Sequence, residues 1–357
     1  MKTAIIGLPM TGKTSLFTIL TGVHQETRIG STSVRTGIAR VPDTRVEALG
    51  KLFEPPKVTH ATVEFVDMPS ISKETLRDAG SMASLRNVDA FAHVLRLFAS
   101  DTIPHEKGSV DPIRDMEDLE TELILNDFAV LEKRLERLEK DRKKTKSPEL
   151  DREHDLLVRC KTMIEANQPL RELTLDADDE KRIRGFQFLS QKPMLYVLNI
   201  GEEEAGRLHE REEEYRNGPL AGRAQTAVTA VCGKIEAELA ELPRAEQLEY
   251  LASYGLSESG LERLISATYA LLGLMSFLTA GDDECRAWTI PMHSTAVKAA
   301  GAIHSDFEKK FIRAEVVNWK TLIDLGGYPG ARDKGQLRLE GKEYIVKDGD
   351  VLVIRHS

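Results

Sequence analysis

The 357-residue chain lacks the residues and patterns that mark disulfide frameworks, zinc sites and membrane spans. Its three cysteines, Cys160, Cys232 and Cys285, lie far apart with no Cys-x-x-Cys spacing, so a disulfide-stabilised secreted fold or a zinc site is not expected. No apolar run approaches the roughly 20 residues that a membrane helix needs. The apolar stretch at residues 4–8 is too short and too soon interrupted for a signal peptide. These absences predict a soluble, cytoplasmic protein that does not contact a membrane.

The charge balance is acidic overall but uneven along the chain. Lys and Arg number 49 against 58 Asp and Glu, a net charge of −9, which disfavours a protein that coats nucleic acid with its whole surface. Residues 133–146, KRLERLEKDRKKTK, nevertheless carry eight basic and three acidic side chains. Two interpretations stay open for this segment: contact with an RNA backbone, or a solvated helix face with internal ion pairs.

The hydrophobic pattern predicts an α/β domain interrupted by a helical insertion. Short apolar runs at residues 3–6, 62–66 and 88–97 are typical of strands, and a helix is expected at 13–20, an alternation that indicates a largely parallel sheet. From about residue 111 the chain becomes rich in charge and poor in glycine, which predicts two long helices at 116–144 and 150–167. The core side of this helical hairpin is predicted from leucines at helical spacing: Leu119, Leu123, Leu131, Leu135 and Leu138.

The strand pattern returns after the hairpin. Strands are predicted at 193–200 and 226–231, and a helix at 260–274. The last segment ends in YIVKDGDVLVIR, which predicts a hairpin of two strands around an Asp-Gly turn. We therefore predict three domains: a discontinuous α/β domain (1–112 and 189–278), a helical coiled-coil insertion (113–188) and a β-rich C-terminal domain (279–357).

The strongest motif is GLPMTGKT at residues 7–14, which fits G-x-x-x-x-G-K-[ST] between a predicted strand and a predicted helix. Its glycines let the backbone turn so that N–H groups and the helix N-terminus face a phosphate. Lys13 is predicted to act catalytically by placing a cation between the β- and γ-phosphates, and Thr14 to hold Mg²⁺. The loop predicts these nucleotide-binding residues: Gly7, Leu8, Pro9, Met10, Thr11, Gly12, Lys13, Thr14 and Ser15.

A second Mg²⁺-linked carboxylate is expected at the end of a neighbouring buried strand. Asp67 closes the predicted strand TVEFVD and is the predicted residue. The alternative is a turn or helix-capping aspartate, since Asp is common in both places.

The choice of base is predicted from Asn199-Ile200-Gly201-Glu202, which follows the strand LYVL. Guanine-specific enzymes of this kind place a Lys and an Asp where Ile200 and Glu202 stand. Without that Asp, guanine loses a charge-assisted pair of hydrogen bonds. We therefore expect ATP to be preferred, with GTP as an alternative. Asn199 is expected to bond the purine N7 or to support the phosphate loop, unless it is a simple turn residue.

The sequence resembles the YchF subfamily of Obg-related P-loop NTPases over almost its full length. The resemblance depends on these stretches: GLPMTGKTSLF, VPDTRVEAL, HEKGSVDPIRDMEDLETELILNDF, KIEAELAEL, LTAGDDECRAWTI, AAGAIHSDFEKKFIRAEV and RLEGKEYIVKDGD. It implies a G domain, an inserted coiled-coil hairpin, a C-terminal ubiquitin-like TGS domain, and an Mg²⁺-dependent ATPase that binds the large ribosomal subunit. It also implies that the segment Cys232-Gly233-Lys234 contacts the base.

The chain departs from the family in the segments that respond to the nucleotide. Pro69-Ser70 stand where the family has Ala-Gly, and a proline stiffens the turn and removes an N–H donor. Ser31, Thr32 and Thr36 are alternative donors of the hydroxyl that completes Mg²⁺ coordination. We therefore expect slow hydrolysis. The alternatives are a nucleotide-dependent switch without hydrolysis, and a ribosome- or RNA-associated adaptor in which the nucleotide is structural.

Overall fold

The computed structural model describes residues 1–23, 34–71, 75–76 and 78–357. Ser31 and Thr32, two of the three hydroxyl donors suggested above, lie outside these residues. The chain divides into two compact units, each made of two segments. The first unit comprises Met1–Gly37 and Glu64–Ala267, and the second comprises Ile38–Val63 and Thr268–Ser357. The division of the chain into three domains stays a prediction.

The strands of the described residues form two sheets. In chain order they are β1 (Lys2–Ile6), β2 (Arg35–Arg40), β3 (Val58–Thr59), β4 (Thr62–Asp67), β5 (Ala90–Arg96), β6 (Met194–Asn199), β7 (Thr226–Val231), β8 (Leu274–Thr279), β9 (Cys285–Pro291), β10 (Phe311–Asn318), β11 (Arg338–Glu340) and β12 (Asp350–His356).

The helices vary widely in length, and α4 is the longest of those described. They are α1 (Lys13–Thr21), α2 (Thr44–Phe53), α3 (Ala79–Arg86), α4 (Pro112–Lys144), α5 (Pro148–Glu165), α6 (Ala177–Ile183), α7 (Leu208–Asn217), α8 (Gly233–Glu241), α9 (Arg244–Ser253), α10 (Gly260–Leu271), α11 (Ala296–Ile303), α12 (Ser305–Lys309), α13 (Trp319–Asp324) and α14 (Tyr328–Asp333). Short 3₁₀ helices occupy Leu170–Glu172, Arg184–Phe186 and Glu202–Arg207. Among the residues placed here, no helix has the length and apolar character needed to cross a membrane.

The first sheet has the strand order β2-β4-β1-β5-β6-β7 and is parallel from β4 to β7, as predicted. Ile5 of β1 lies opposite Asp67 of β4, and Arg96 of β5 lies opposite Asn199 of β6. The carboxyl ends of these strands therefore meet at one edge of the sheet, the edge at which parallel α/β folds bind ligands. Every residue of β6 is buried, in agreement with its continuous apolar sequence.

The helical insertion has a hydrophobic core of its own. The predicted leucines of α4 are all buried, and a separate cluster joins α4 to α5 and α6 through Leu131, Leu157 and Ile183. Both long helices begin slightly before the predicted residues because a proline stands in the first turn of each, where its missing N–H costs nothing. At the base of the hairpin, the carboxylate of Asp127 accepts hydrogen bonds from the backbone N–H groups of Leu189 and Ser190, at 2.8 and 2.7 Å.

The sheet of the second unit has the order β11-β10-β12-β8-β9-β3. Its strands β8 and β12 are parallel neighbours, each flanked by an antiparallel partner. This is the β-grasp arrangement, as predicted from the resemblance. The predicted C-terminal hairpin is wrong. Residues before the Asp-Gly turn form a single bridge, between Ile345 and Thr295, because both edges of β12 are already paired with β8 and β10.

Candidate nucleotide-binding site

The loop between β1 and α1 requires glycine at both ends. Gly7 has φ 144° and Gly12 has φ 95°, both in the region that side chains disfavour. A Cβ on Gly7 would lie 2.6 Å from the carbonyl oxygen of Val94, and one on Gly12 would lie 2.5 Å from Nδ2 of Asn199. Neither space admits a methyl group. The loop backbone is therefore held close to two neighbouring strands, and only glycine fits at these two positions.

Lys13 begins α1 and its side chain folds back into the loop. It is 6% exposed, and its Nζ donates to the carbonyl oxygen of Leu8 at 2.6 Å and to Oγ of Ser70 at 3.1 Å. Burial lowers the pKa of the Lys13 ammonium to about 8, while the nearby carboxylates of Asp67 and Glu106 oppose that decrease. A phosphate at the loop would offer this partly desolvated cation a charged partner.

Thr14 and Asp67 meet at the same edge of the sheet. The Thr14 hydroxyl donates to Oδ2 of Asp67 at 3.1 Å, and the same oxygen pairs with Nη2 of Arg35. Asp67 is buried, and its Oδ1 has no hydrogen-bond partner among the residues that the structure describes. A hydroxyl and a carboxylate with an unused oxygen suit Mg²⁺, which binds oxygen and usually takes one or two protein carboxylates beside substrate phosphates. The donor set therefore fits the predicted metal.

Among the described residues, no larger metal site competes with this pair. Within the described ranges, no group of three or more His, Cys, Asp or Glu side chains is placed to hold a metal ion. Thr36 lies one residue after Arg35 on β2 and is exposed. Since successive side chains of a strand point to opposite faces, Thr36 faces away from the side on which Arg35 reaches Asp67.

Asn199 ties the phosphate loop to the segment after β7. Its Nδ2 donates to the carbonyl oxygen of Thr11 at 2.9 Å, and its Oδ1 accepts from the N–H of Gly233 at 3.0 Å. The side chain is 5% exposed. Of the two roles considered for Asn199, support of the loop is the one that these bonds describe.

Glu202 is engaged by two side chains at the predicted base position. Its carboxylate pairs with Nζ of Lys234, and it accepts a hydrogen bond from the hydroxyl of Tyr254 at 2.9 Å. The Lys234 hydrogen bond and then the Tyr254 hydrogen bond lower the pKa of Glu202, and the same carboxylate raises the pKa of Lys234. Glu202 and Lys234, both predicted to lie at the base, therefore neutralise each other, a pairing that the sequence does not indicate.

The other predicted nucleotide-binding residues differ in accessibility. Ile200 and Cys232 are buried in the core of the first unit, so their side chains are not exposed to a ligand. Leu8 is also buried, Pro9 and Gly12 are half-buried, and Met10, Thr14 and Ser15 are exposed.

Arg35, Ser70 and Tyr254 complete the site, and their contacts were not predicted. Arg35 pairs with Asp67, Ser70 accepts from Lys13, and Tyr254 donates to Glu202. The partners lie 32, 57 and 52 residues apart in sequence, so no local motif marks them. The sequence RTGIAR of β2 gives no signal either, because the burial of Arg35 and the exposure of Ile38 are seen only in the structure.

Comparison with known proteins bears on the family of the chain. A family model named YchF-GTPase_C, described as "Protein of unknown function (DUF933)", matches residues 274–357. The "Ribosome-binding ATPase YchF" of Bacillus subtilis is 39% identical over 364 residues, which cover 100% of this chain and 99% of that protein. The protein of the same name from Escherichia coli O157:H7 is 37% identical and covers 98% of each chain.

A solved structure extends the comparison to three dimensions. The structure of the Schizosaccharomyces pombe YchF GTPase superposes with a TM-score of 0.85 at 25% identity and covers 99% of this chain and 97% of that one. Identity and coverage of this extent, together with the phosphate loop and the β-grasp unit, show that the chain belongs to the YchF family of P-loop NTPases.

Proposed function

We propose that this protein is an Mg²⁺-dependent nucleotide-binding NTPase that prefers ATP, hydrolyses it slowly to ADP and phosphate, and couples its nucleotide state to ribosome binding. The observation that supports this most directly is the convergence of Lys13, Thr14 and Asp67 at one sheet edge, behind a loop whose glycines admit no side chain. That arrangement matches the parts that phosphoryl transfer needs from a P-loop protein.

Each residue of the site has a proposed role that follows from its position. The loop N–H groups and the N-terminus of α1 bind the β-phosphate, and Lys13 stabilises negative charge between the β- and γ-phosphates. Thr14 and Asp67 hold Mg²⁺ directly or through water. When bound, this ion neutralises phosphate charge and orients the phosphate oxygens. Asn199 keeps the loop in the binding conformation through its bond to Thr11.

The ATP preference is supported by the state of Glu202. Guanine recognition needs a carboxylate free to accept from the base N1–H and N2 amine. Glu202 already accepts from Lys234 and Tyr254, so guanine would meet a carboxylate whose charge is paired with Lys234. Adenine presents an acceptor at N1 instead of a donor, so its recognition does not require a carboxylate.

The slow rate is supported by the surroundings of Lys13. Pro69 precedes Ser70, and the Ser70 hydroxyl accepts from the Lys13 ammonium. A proline next to this contact restricts the backbone movement that would bring an N–H toward the γ-phosphate. The same feature makes a switch that binds without hydrolysis the second candidate function.

The partner is proposed from the Bacillus subtilis and Escherichia coli relatives, both of which are named ribosome-binding ATPases. We propose the large ribosomal subunit and, with it, a cytoplasmic location. RNA contact is proposed through residues 133–146, the end of α4 and its turn. Arg134 and Arg142 pair there with Glu153 and Asp151, whereas Lys140, Lys143 and Lys144 are exposed.

The nucleotide experiment measures binding and chemistry separately. Titration calorimetry with ATP and GTP should give at least about tenfold tighter binding of ATP, a difference of about 1.4 kcal/mol. Single-turnover hydrolysis of ATP should be slow in the wild type and lost in Lys13→Ala. Tighter GTP binding would contradict the proposed base preference. Binding without turnover would leave the non-hydrolysing switch.

The ribosome experiment is co-sedimentation in ATP, in ADP and without nucleotide. Binding should differ between these states, and identical binding in all three would favour the adaptor. Replacement of Lys140, Lys143 and Lys144 by glutamine should weaken binding and reduce its salt dependence. The control is the same change of charge at three exposed positions elsewhere: Lys51, Lys181 and Arg216.

A further inference from the structure

The carboxylate at the metal site already has a positive partner from the protein itself. Arg35 of β2 and Asp67 of β4 form an ion pair in which each side chain is 6% exposed. The pair uses Oδ2 of Asp67, the same oxygen that accepts from the Thr14 hydroxyl. A guanidinium therefore stands beside both protein groups that fit Mg²⁺.

This ion pair is incomplete. Arginine and carboxylate usually join through two parallel hydrogen bonds when they are buried together. Here Nε and Nη1 of Arg35 and Oδ1 of Asp67 have no hydrogen-bond partner in the part of the chain that the structure describes. Buried polar atoms are normally satisfied, and unsatisfied ones at a site point to a missing ligand. The oxygen of Asp67 that the arginine leaves unused is thus the one open to another cation.

The Arg35 guanidinium also has a favourable contact that does not depend on Asp67. Its guanidinium carbon lies 5.2 Å from the centre of the Phe17 ring of α1. Cations are attracted to the faces of aromatic rings at this distance. Movement of the guanidinium away from the carboxylate therefore does not leave the charge without a neighbour.

A divalent ion at Asp67 and a guanidinium on the same carboxylate repel each other strongly, because water is largely excluded from both. We propose that Arg35 is an internal counter-ion of Asp67 that Mg²⁺ displaces when nucleotide binds, so that Arg35 sets the Mg²⁺ concentration required for tight binding. This inference rests on the proposed function, since it assumes that Asp67 belongs to a site for Mg²⁺ and nucleotide.

The test is the Mg²⁺ dependence of nucleotide affinity in the full chain. A fluorescent ATP analogue is titrated at a series of free Mg²⁺ concentrations, and the Mg²⁺ midpoint of tight binding is measured. In Arg35→Gln the midpoint should fall about tenfold or more, because the competing cation is gone. Arg40→Gln, an exposed position on the same strand, is the control and should leave the midpoint within about twofold.

A second readout uses the metal alone. Without nucleotide, millimolar MgCl₂ should raise the melting temperature of Arg35→Gln, where Asp67 has lost its counter-ion, and leave the wild type unchanged. If Arg35→Gln does not fold, Arg35→Lys replaces it. This variant keeps a charge but loses the planar fork, and its midpoint should fall about threefold or more.

The outcomes separate the inference from the proposed function. An unchanged or higher Mg²⁺ midpoint in the folded Arg35 variant overturns the inference, and a higher one means that Arg35 helps to hold the loaded site. Wild-type protein that binds no nucleotide at any Mg²⁺ concentration refutes the proposed function instead.

Discussion

Asn199 is predicted to be a structural brace whose loss weakens both the fold around the phosphate loop and nucleotide binding. Replacement by alanine removes two hydrogen bonds, to the carbonyl of Thr11 and from the N–H of Gly233. Thr11 is 2% exposed, so its carbonyl would lose its partner where water has little access, whereas Gly233 is half-buried and can recover a bond to water. Two lost bonds at about 1 kcal/mol each, and one unsatisfied group at about 1–3 kcal/mol, give a destabilisation of about 3–5 kcal/mol.

Asn199→Asp distinguishes the two bonds. An aspartate still accepts from Gly233 but places an oxygen against the Thr11 carbonyl and buries a charge. We therefore expect Asn199→Asp to be at least as destabilising as Asn199→Ala. ATP affinity should fall about tenfold or more in both variants, since the loop is no longer held in the binding conformation.

The assay must report on the first unit. Both tryptophans, Trp288 and Trp319, lie in the second unit, so tryptophan fluorescence would not follow the change directly. Hydrogen exchange of the β6 and β7 amides in increasing urea measures the opening free energy where the brace acts. Asn217→Ala, at an exposed position ending α7, is the matched control. The brace is refuted if Asn199→Ala changes the opening free energy by less than about 0.5 kcal/mol, the usual range for a surface substitution.

Two further predictions concern pH. Because burial lowers the pKa of Lys13 to about 8 and a bound phosphate favours the ammonium, ATP affinity should be constant below about pH 8 and fall up to about tenfold per pH unit above it. Calorimetry in two buffers of different ionisation enthalpy should detect proton uptake on ATP binding above about pH 8. The Lys13→Arg variant should show no such pH dependence, because arginine stays charged. An ATP affinity that is unchanged at about pH 9.5 would contradict the lowered pKa of Lys13. Burial raises the pKa of Asp127 from 3.8 to about 6 despite its bonds to Ser190 and Leu189, so the folded state binds more protons than the unfolded state between these pH values. The contribution of Asp127 to the unfolding free energy should therefore decrease by about 3 kcal/mol as pH rises through that window. It is measured as the difference in unfolding free energy between wild type and Asp127→Asn. An increase with pH would show that the hydrogen bonds to Asp127 outweigh its desolvation.

The phosphate loop was predictable because all of its determinants are local. Two glycines, a lysine and a threonine stand at fixed spacing between a strand and a helix, and the structure places them there. The helical hairpin was predictable for the same reason, since its leucines repeat at helical spacing. The first turns were missed, where Pro112 and Pro148 extend the helices toward their N-termini, and α5 ends at Glu165 rather than at residue 167.

Pairings between distant segments could not be predicted in this way. The sequence YIVKDGDVLVIR has the local pattern of a hairpin, but β12 pairs with β8 and β10 instead, and nothing within the segment encodes that choice. The bond from Asn199 to Thr11 joins residues 188 positions apart. Electrostatic pairing is equally non-local. Glu202 has no partner nearby in the sequence, and only folding brings Lys234 and Tyr254 into contact with its carboxylate.

The polar side chains of the site are bonded to one another, and this has a consequence for ligand binding. Lys13 donates to Leu8 and Ser70, Asp67 pairs with Arg35, and Glu202 pairs with Lys234. A ligand group that takes the place of one of these partners therefore gains only the difference between two interactions rather than one whole interaction. Differences of this kind are sensitive to small changes in either partner. Lys13, Glu202 and one oxygen of Asp67 have internal partners without ligand, whereas the other oxygen of Asp67 has none among the described residues. We therefore expect the balance between free and loaded states to respond to Mg²⁺, pH and a bound partner.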